Sequence, residues 1–336
     1  MQTPSLHGND ELHLYEGTQT SPTRSEHFFG LMPPRVPPFK ALPVDAPQQY
    51  DPRIAYLAAV VSAWAYADAR TMAMQLPYYG LPNCTVREFQ VVNDAMLVVS
   101  AAYFVRSEDG RVGVLAFRGT RPNDFINWLT DANTTLINFQ YGKVHAGFFA
   151  NVEPIWGAIA CAIDDAIDPR RNANGGGGKA PLENLYITGH SLGAAMAVIA
   201  AARIFSSDYL DWRTRVRGVY TFGQPAAGDG VFARHYETQF ALYRHVYRYD
   251  VVPHLPPMDV GLFPHFGTEF YSDGAGGWQA MQPPRTTQAR LVTFAAIIAL
   301  ASFLARRLTI LRALRLPYSI EDHGPQGYVD ASRASL

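Results

Sequence analysis

The chain has 336 residues, which suits one large domain or two small ones. Apolar residues make up 48% and charged residues 17%, which is enough apolar content for a sizeable core. The formal net charge of -1 argues against a protein that binds nucleic acid by electrostatic attraction, because that mode of binding needs a basic surface.

The N-terminal part of the chain is predicted to be an irregular leader over residues 1–47. Eight of the 24 prolines fall there, and proline removes backbone hydrogen-bond donors and disfavours helix. Its first 27 residues are polar, with no basic-then-apolar pattern of a secretion signal. We therefore expect a cytoplasmic or peripheral membrane location rather than Sec-dependent secretion. A folded domain is expected over 48–336.

The elements that follow alternate between strands and helices. Asp51-Pro52 is typical of a helix start, and residues 95–105 and 112–118 are expected to pair as strands through a turn at Glu108-Asp109-Gly110. Further helices are predicted at about 51–70, 147–168, 192–205 and 229–240, and further strands at 185–188, 216–222 and 242–249. This alternation predicts an α/β fold with a mostly parallel central sheet and helices on both faces.

The chain contains only two cysteines, and it has one long apolar segment near its C-terminal end. Cys84 and Cys161 are too few for a disulfide framework and lack metal-ligand spacing, so we expect two buried free thiols, with one bridge as the alternative. Residues 291–305 are almost wholly apolar but shorter than the roughly 20 residues that span a bilayer. We predict a helical insertion at about 288–316 that is either buried in the core or lies at a lipid interface.

A serine motif follows the predicted strand at 185–188. Gly189-His190-Ser191-Leu192-Gly193 lies between that strand and an alanine-rich helix, which is the setting of a nucleophile elbow. The serine must sit on a tight turn so that its hydroxyl projects above the sheet, and the glycines remove side chains where strand and helix approach. The helix N-terminus favours developing negative charge. The motif predicts Ser191 as the nucleophile of a serine hydrolase.

A serine hydroxyl needs a histidine base that is oriented by a carboxylate. In this chain order the acid follows the serine. Asp250 comes directly after an apolar strand, where α/β active sites collect, whereas Asp259 and Asp273 lie in loops rich in proline and glycine. Asp250 is therefore the favoured acid.

The base must also follow Ser191, and the candidates are His235, His245, His254, His265 and His323. The first two fall within a predicted helix and a predicted strand. His254 is only four residues beyond Asp250, which is cramped for its partner. His323 lies in a polar loop after the sheet is complete, so the residues favour His323 and leave His265 as the alternative.

In these motifs the chain resembles a known family, the class 3 (fungal-type) lipases of the α/β-hydrolase superfamily. The resemblance runs from about Val98 to Tyr328 and rests on ordered blocks. These blocks are Ala116 to Thr120, Asn127 to Asp131, Val144 to Phe148, Ile187 to Ala195, Thr221 to Pro225, Asp250 to Pro257, and Asp322-His323 with Tyr328. The family's Gly-Gln-Pro block usually continues with a basic residue and valine, but here it continues with Ala226-Ala227.

The resemblance implies an α/β-hydrolase fold with a short lid and assigns roles to matching positions. It implies Ser191 as nucleophile, Asp250 as orienting acid and His323 as base, and it assigns His265 to a strand block without a catalytic role. It also implies an oxyanion hole from the backbone N–H groups of Thr120 and Leu192. Asp131 would anchor the Thr120 hydroxyl, and the lid would include Phe125, Ile126, Trp128 and Leu129.

Together these features predict a lipase-type carboxylic-ester hydrolase that acts on acylglycerols and needs no metal or organic cofactor. The expected partner is a lipid or ester substrate, at a peripheral membrane or lipid-droplet interface. Two alternatives within the family are a phospholipase A1 and a feruloyl or short-chain esterase. An alternative of another class is a catalytically silent protein that binds lipid or associates with membranes.

Overall fold

The computed structural model describes residues 14–16, 48–93, 98–120, 135–169, 179–206, 209–255, 263–281 and 321–336. Within them one sheet has nine strands in the order β1-β2-β3-β4-β7-β8-β9-β10-β11. These are β1 Leu14–Glu16, β2 Thr85–Asn93, β3 Val98–Arg106, β4 Val112–Phe117, β7 Asn184–His190, β8 Val216–Phe222, β9 Leu242–Tyr247, β10 Thr268–Ser272 and β11 Gln279–Met281. A separate hairpin pairs β5 Leu136–Asn138 with β6 Lys143–His145.

The centre of the sheet is parallel. Strands β4, β7, β8, β9 and β10 run in one direction, while β1, β2, β3 and β11 pair antiparallel at the two sides. The residues of β7 and β8 are buried throughout, as expected for parallel strands covered on both faces. The predicted fold class, an α/β-hydrolase sheet with helices on both faces, is confirmed.

Seven α-helices lie among the described residues. They are α1 Pro52–Trp64, α2 Ala69–Gln75, α3 Ala146–Ile167, α4 Leu192–Ser206, α5 Leu210–Arg213, α6 Gly230–Tyr236 and α7 Pro325–Arg333. Helices α3 and α4 pack with one face of the sheet in a first hydrophobic core. Helices α1 and α2 pack with the other face in a second core, which also contains Tyr328 and Val329 of α7.

Helix α1 shows how the local sequence sets an element. Asp51 caps it by accepting a hydrogen bond from the backbone N–H of Arg53, and Pro52 occupies the first helical position. Eleven of its residues are buried because the helix lies between the sheet and α7. The predicted single helix over 51–70 is wrong at its end, since Asp68 caps a second helix, α2, through the backbone N–H of Thr71.

Helix α3 is long and apolar enough to cross a membrane by length and composition. In this structure its apolar stripe, including Phe148, Val152 and Ile159, is instead buried in the first core. The same helix carries Cys161, which is free and exposed, whereas Cys84 is free and buried. The expectation of two buried thiols is therefore wrong for Cys161, whose helix position faces away from the core.

Part of the predicted leader is ordered as a strand. Leu14–Glu16 pairs antiparallel with Thr85–Arg87, so the expectation of a wholly irregular leader does not hold for these residues. A free sheet edge presents unpaired backbone groups, and this short strand covers the first three residues of β2. The rest of residues 1–47, and the predicted apolar insertion at 288–316, lie outside the described residues. The domain boundaries stay predictions.

Candidate active site

Ser191 occupies the turn between β7 and α4. Its φ angle is +60°, in the left-handed region that residues other than glycine rarely adopt. The turn is held on both sides, since the Ser191 N–H donates to the Phe222 carbonyl at 2.9 Å and the Ala194 N–H donates to the Ser191 carbonyl at 2.9 Å. A strained backbone that the surrounding structure fixes in this way is typical of a nucleophile elbow.

The two glycines of the motif allow strand and helix to approach closely. A Cβ atom on Gly189 would lie 2.2 Å from the carbonyl oxygen of Gly193, and one on Gly193 would lie 2.2 Å from the carbonyl oxygen of Phe117. Both neighbours are backbone atoms that cannot move aside. A side chain at Gly189 would therefore force β7 away from α4, and one at Gly193 would force α4 away from the end of β4; either change would displace Ser191.

His323 and Asp250 meet at the same edge of the sheet. Asp250 follows the end of β9, and His323 ends a short 3-10 turn, Glu321–His323. The Nδ1 atom of His323 lies 2.8 Å from Oδ2 of Asp250, and both side chains are buried. Because an ionised carboxylate only accepts hydrogen bonds, Nδ1 carries the proton. This leaves Nε2 with the lone pair that a general base needs.

The Asp250 carboxylate is held by further donors. Its Oδ1 accepts a hydrogen bond from the backbone N–H of Val252 at 2.8 Å, and its Oδ2 accepts one from the Tyr328 hydroxyl at 2.5 Å. Burial, followed by the charge of Asp250, raises the pKa of Tyr328 well above its ordinary value, so the phenol stays protonated as a donor. A fully buried carboxylate with three donors keeps a fixed orientation toward His323.

Two further residues, His190 and Gly223, pack against His323. The ring of His190 stacks on the ring of His323 with centroids 4.6 Å apart. Phe222, which accepts the Ser191 N–H, is followed by Gly223, where a Cβ atom would lie 2.8 Å from Cε1 of His323 and 2.9 Å from Oδ2 of Asp250. Gly223 has a φ angle of +58°, so this close approach requires glycine.

The oxyanion hole predicted from the resemblance is described only in part. Leu192 is the first residue of α4, directly after Ser191. Gly119, the residue before Thr120, packs against the serine, since a Cβ atom on it would lie 3.1 Å from Cβ of Ser191. Thr120 is thus the neighbour along the chain of a residue that packs against Ser191. Its predicted anchor Asp131, and the predicted lid residues Phe125, Ile126, Trp128 and Leu129, lie outside the described residues.

The other candidates for acid and base lie apart from this arrangement or outside the described residues. His265 Nε2 lies 2.7 Å from the Pro253 carbonyl, so its side chain contacts a loop instead of Asp250. Asp273 is exposed and accepts a hydrogen bond from the backbone N–H of Ala275. His245 is buried, with Nδ1 3.0 Å from the Thr221 carbonyl. Asp259 lies outside the described residues.

Four residues of the site received no role from the sequence: His190, Gly223, Tyr328 and Tyr66, whose hydroxyl lies 2.8 Å from Nδ1 of His190. Gly223 and Tyr328 belong to blocks that carried the family resemblance, and His190 lies inside the serine motif itself. Their contacts join segments more than 70 residues apart, which residue spacing does not reveal. Among the residues that the structure describes, no group of three His, Cys, Asp or Glu side chains is arranged to hold a metal ion.

The chain is similar to proteins of one family. A family model described as lipase (class 3) matches residues 114–260. The lipase of Rhizopus niveus is 28% identical over 179 residues, covering 52% of this chain and 42% of that protein. The secreted mono- and diacylglycerol lipase 1 of Fusarium solani is 28% identical over 230 residues, covering 62% of this chain and 60% of that protein. The chain therefore spans about half the length of these curated relatives.

Solved structures share the fold. The crystal structure of the lipase from Rhizopus microsporus var. chinensis matches with a TM-score of 0.58 at 20% sequence identity, covering 87% of this chain and 91% of that one. At this level of identity the match shows the fold alone. The family model agrees with the resemblance predicted from the ordered sequence blocks, and the structural match agrees with the fold that this resemblance implies.

Proposed function

Because the chain belongs to the class 3 lipase family, we propose that it is a serine carboxylic-ester hydrolase that acts on acylglycerols. One observation carries the proposal: the hydrogen bond between His323 Nδ1 and Asp250 Oδ2, made by a histidine whose ring stacks on His190, the residue before a serine that is held at positive φ. It orients the lone pair of Nε2 as the base for a serine nucleophile.

The reaction proceeds in two steps. Ser191 Oγ attacks the ester carbonyl carbon while His323 Nε2 takes the hydroxyl proton, which gives a tetrahedral oxyanion. The C–O bond to the alcohol then breaks, and the alcohol leaves with the proton that His323 returns. Water repeats the sequence on the acyl-enzyme, with His323 taking a water proton and Ser191 Oγ leaving with it. The products are a carboxylic acid and free enzyme.

The oxyanion is stabilised by backbone donors in this proposal. The N–H of Leu192 belongs to the first turn of α4, where the helix dipole favours negative charge. We assign the second donor to the N–H of Thr120, because Thr120 follows Gly119, which packs against Ser191. Loss of one such donor typically lowers kcat by about 10²–10³.

The burial of the nucleophile supports a lipid substrate reached through a rearrangement. Ser191 is only 1% exposed, so an ester carbonyl cannot reach Oγ in this conformation. An enzyme that is closed in water and opens at a lipid surface would behave in this way. The Fusarium relative is named as a lipase of mono- and diacylglycerols, which supports acylglycerols as the substrate class.

Exposed apolar side chains support a lipid interface on the same edge of the sheet. Val92 and Val99 are cross-strand partners at the end of the β2–β3 hairpin, and they are 57% and 39% exposed. Both valines lie beyond Phe117, the last residue of β4, at the end of the sheet where Asp250 also lies. Tyr249, directly before Asp250, is 49% exposed. We propose peripheral binding of this edge to a membrane or lipid droplet, with a cytoplasmic or membrane-surface location.

Hydrolysis of p-nitrophenyl esters of graded acyl length tests the proposal. We expect activity that rises toward medium and long chains and falls about 10³-fold or more in Ser191→Ala. Ser206→Ala, which changes a serine at the other end of α4, serves as the matched control and should keep full activity. Equal activity in wild type and Ser191→Ala would reject the nucleophile.

The same series separates the alternative functions. A maximum at acetate or butyrate would indicate a short-chain esterase, and release of fatty acid from phosphatidylcholine vesicles but not from triolein would indicate a phospholipase. Binding to vesicles without hydrolysis of any ester in the series would indicate a silent lipid-binding protein.

A further inference from the structure

We propose that Tyr66 and His190 form a positioning pair that holds His323 by its main chain. The inference rests on the proposed function, because it concerns the orientation of the base. His190 Nε2 lies 2.8 Å from the carbonyl oxygen of His323, and His190 Nδ1 lies 2.8 Å from the Tyr66 hydroxyl. A continuous line of hydrogen bonds therefore runs from the loop after α1, through the residue before the nucleophile, to the base.

The chemistry of the groups fixes the direction of each hydrogen bond. The His323 carbonyl oxygen only accepts, so His190 Nε2 must carry the proton that it donates. Burial lowers the pKa of His190 well below its ordinary value, so the ring is neutral and its Nδ1 accepts. The Tyr66 hydroxyl must then be the donor to Nδ1, and in that role it selects the correct tautomer of His190.

His323 depends on such a contact because of where it lies. It ends a three-residue 3-10 turn, which has few backbone hydrogen bonds of its own. The Nδ1–Asp250 bond fixes one side of the ring, but rotation about the axis through that bond would still swing Nε2 away from Ser191. The His190 donor fixes the main chain from which the ring projects, and the stacked ring of His190 limits rotation.

Tyr66 also touches the other half of the site. A Cβ atom on Gly119 would lie 2.3 Å from the Tyr66 hydroxyl oxygen and 2.5 Å from the His190 carbonyl oxygen. The hydroxyl therefore packs against the backbone that leads into Thr120. One tyrosine thus sets the spacing between the proposed oxyanion loop and the residue that holds the base.

A double-mutant cycle on kcat tests the pair. In His190→Phe an aromatic ring is kept but the donor is lost, so we expect kcat to fall about 10- to 100-fold with KM changed less than threefold, as for a small misplacement of a catalytic group. His190→Gln places an amide donor near the position of Nε2 and should recover kcat to within about fivefold of wild type.

Tyr66→Phe should lower kcat by severalfold. The double variant Tyr66→Phe/His190→Phe should lose less than the product of the two single losses, because the hydrogen bond of the hydroxyl acts through His190.

Controls separate positioning from loss of folding. Tyr186→Phe changes a buried tyrosine five residues before Ser191 on β7, and it should keep wild-type kcat. Each variant is compared at a temperature where its urea unfolding curve shows a fully folded native state. If His190→Phe does not fold, the comparison of Tyr66→Phe with Tyr186→Phe carries the test.

Three results would overturn the inference: wild-type kcat in Tyr66→Phe, a His190→Gln variant as impaired as His190→Phe, or additive losses in the double variant. Ser191→Ala separates this failure from that of the proposed function. If Ser191→Ala is inactive while Tyr66 and His190 variants retain wild-type kcat, only the positioning pair is wrong. If Ser191→Ala keeps full activity, the proposed function itself fails.

Discussion

The hydroxyl of Tyr328 lies 2.5 Å from Oδ2 of Asp250, the same carboxylate oxygen that accepts the hydrogen bond from Nδ1 of His323. The hydroxyl is itself fixed, since it accepts the backbone N–H of Tyr247 at 3.4 Å and must direct its proton to the carboxylate. Tyr328 therefore shares the task of satisfying a buried anion, and its position on α7 ties the helix after His323 to the end of β9.

Replacement of Tyr328 by phenylalanine removes one donor to this anion. A buried hydrogen bond to a charged group contributes about 1.5–3 kcal/mol, so we expect a free energy of unfolding lower by about that amount. We also expect kcat to fall severalfold, because the carboxylate is held less firmly toward His323. Urea unfolding and ester hydrolysis measure the two effects. Tyr243→Phe is the matched control, and equal kcat losses in both variants would contradict the assigned contact.

Replacement of Gly223 by alanine should damage activity more than stability. The added Cβ would press on Cε1 and Nδ1 of His323 and on Oδ2 of Asp250, all within 2.8–2.9 Å. We expect kcat to fall about 10²-fold from this displacement, with a backbone cost of about 1–2 kcal/mol from the positive φ. Steady-state kinetics and urea unfolding give both values, and wild-type kcat would contradict the tight packing.

Gly157 provides the opposite case for the same substitution. It lies in α3, and a Cβ atom there meets nothing within 4 Å. Gly157→Ala should raise the free energy of unfolding by about 0.8–1 kcal/mol, because alanine favours helix over glycine, and should leave kcat unchanged. Urea unfolding measures the gain. A destabilised variant would show that the helix is not formed as described.

Buried neutral histidines should make the protein sensitive to acid. Burial lowers the pKa of His245 to about 3 and that of His145 to about 4, from an ordinary value of 6.5. Both are neutral when folded, while the unfolded chain takes up a proton near pH 6.5. The contribution of these two histidines to the free energy of unfolding is therefore complete above pH 6.5. It is lost as the pH falls from 6.5 toward 4, with a slope of about 1.4 kcal/mol per pH unit for each group.

His245→Phe isolates one of these contributions. The phenyl ring can retain stacking with Phe222 and Phe270, but the contacts with the Thr221 carbonyl and the Tyr50 hydroxyl are lost. We expect a loss of about 1–3 kcal/mol at pH 8 and a shallower acid slope, reduced by about 1.4 kcal/mol per pH unit. Urea unfolding between pH 8 and 4 gives the slope. The same slope in both proteins would refute the assignment.

The buried pair Arg244 and Glu269 should respond differently to single and double replacement. The two residues are direct neighbours on β9 and β10, with Nη2 and Oε2 3.3 Å apart and side chains 2% and 0% exposed. Glu269→Gln leaves the guanidinium charge without its counterion and should cost about 3–5 kcal/mol. Arg244→Met/Glu269→Leu should cost less than the sum of the single variants. Additive losses in urea unfolding would show that the charges do not interact.

The central strands and the helices that follow them were accessible from sequence because their patterns are local. Residues 216–222 are rich in β-branched and aromatic residues and become β8 with the predicted bounds, and the predicted helix at 192–205 is α4 to within one residue. The strand predicted over 242–249 stops at Tyr247 because Arg248 adopts a positive φ of 47°. Nothing in the pattern of hydrophobic residues signals that turn.

The rest of the site could not be read from local patterns. Tyr66, His190 and His323 meet across 124 and 133 residues, and only the assembled sheet brings them together. Helix α7 begins with Pro325, which suits the first position of a helix, but it contains Gly327 two residues later, which disfavours helix. The helix is stabilised by the packing of Tyr328 and Val329 in the second core. Its existence therefore depends on tertiary contacts, which the sequence analysis did not predict.

Labelling of the nucleophile tests the central claim most directly. The protein is treated with diethyl p-nitrophenyl phosphate, which phosphorylates an activated serine and releases p-nitrophenol, and the modified residue is located by tandem mass spectrometry. We predict one diethylphosphoryl group per chain, on Ser191, with loss of ester hydrolysis in proportion to labelling. Ser191→Ala should not be labelled at this position, and in His323→Ala the labelling of Ser191 should be slower than in wild type. Inactivation that accompanies labelling of a different residue, or an unchanged labelling rate in His323→Ala, would contradict the account.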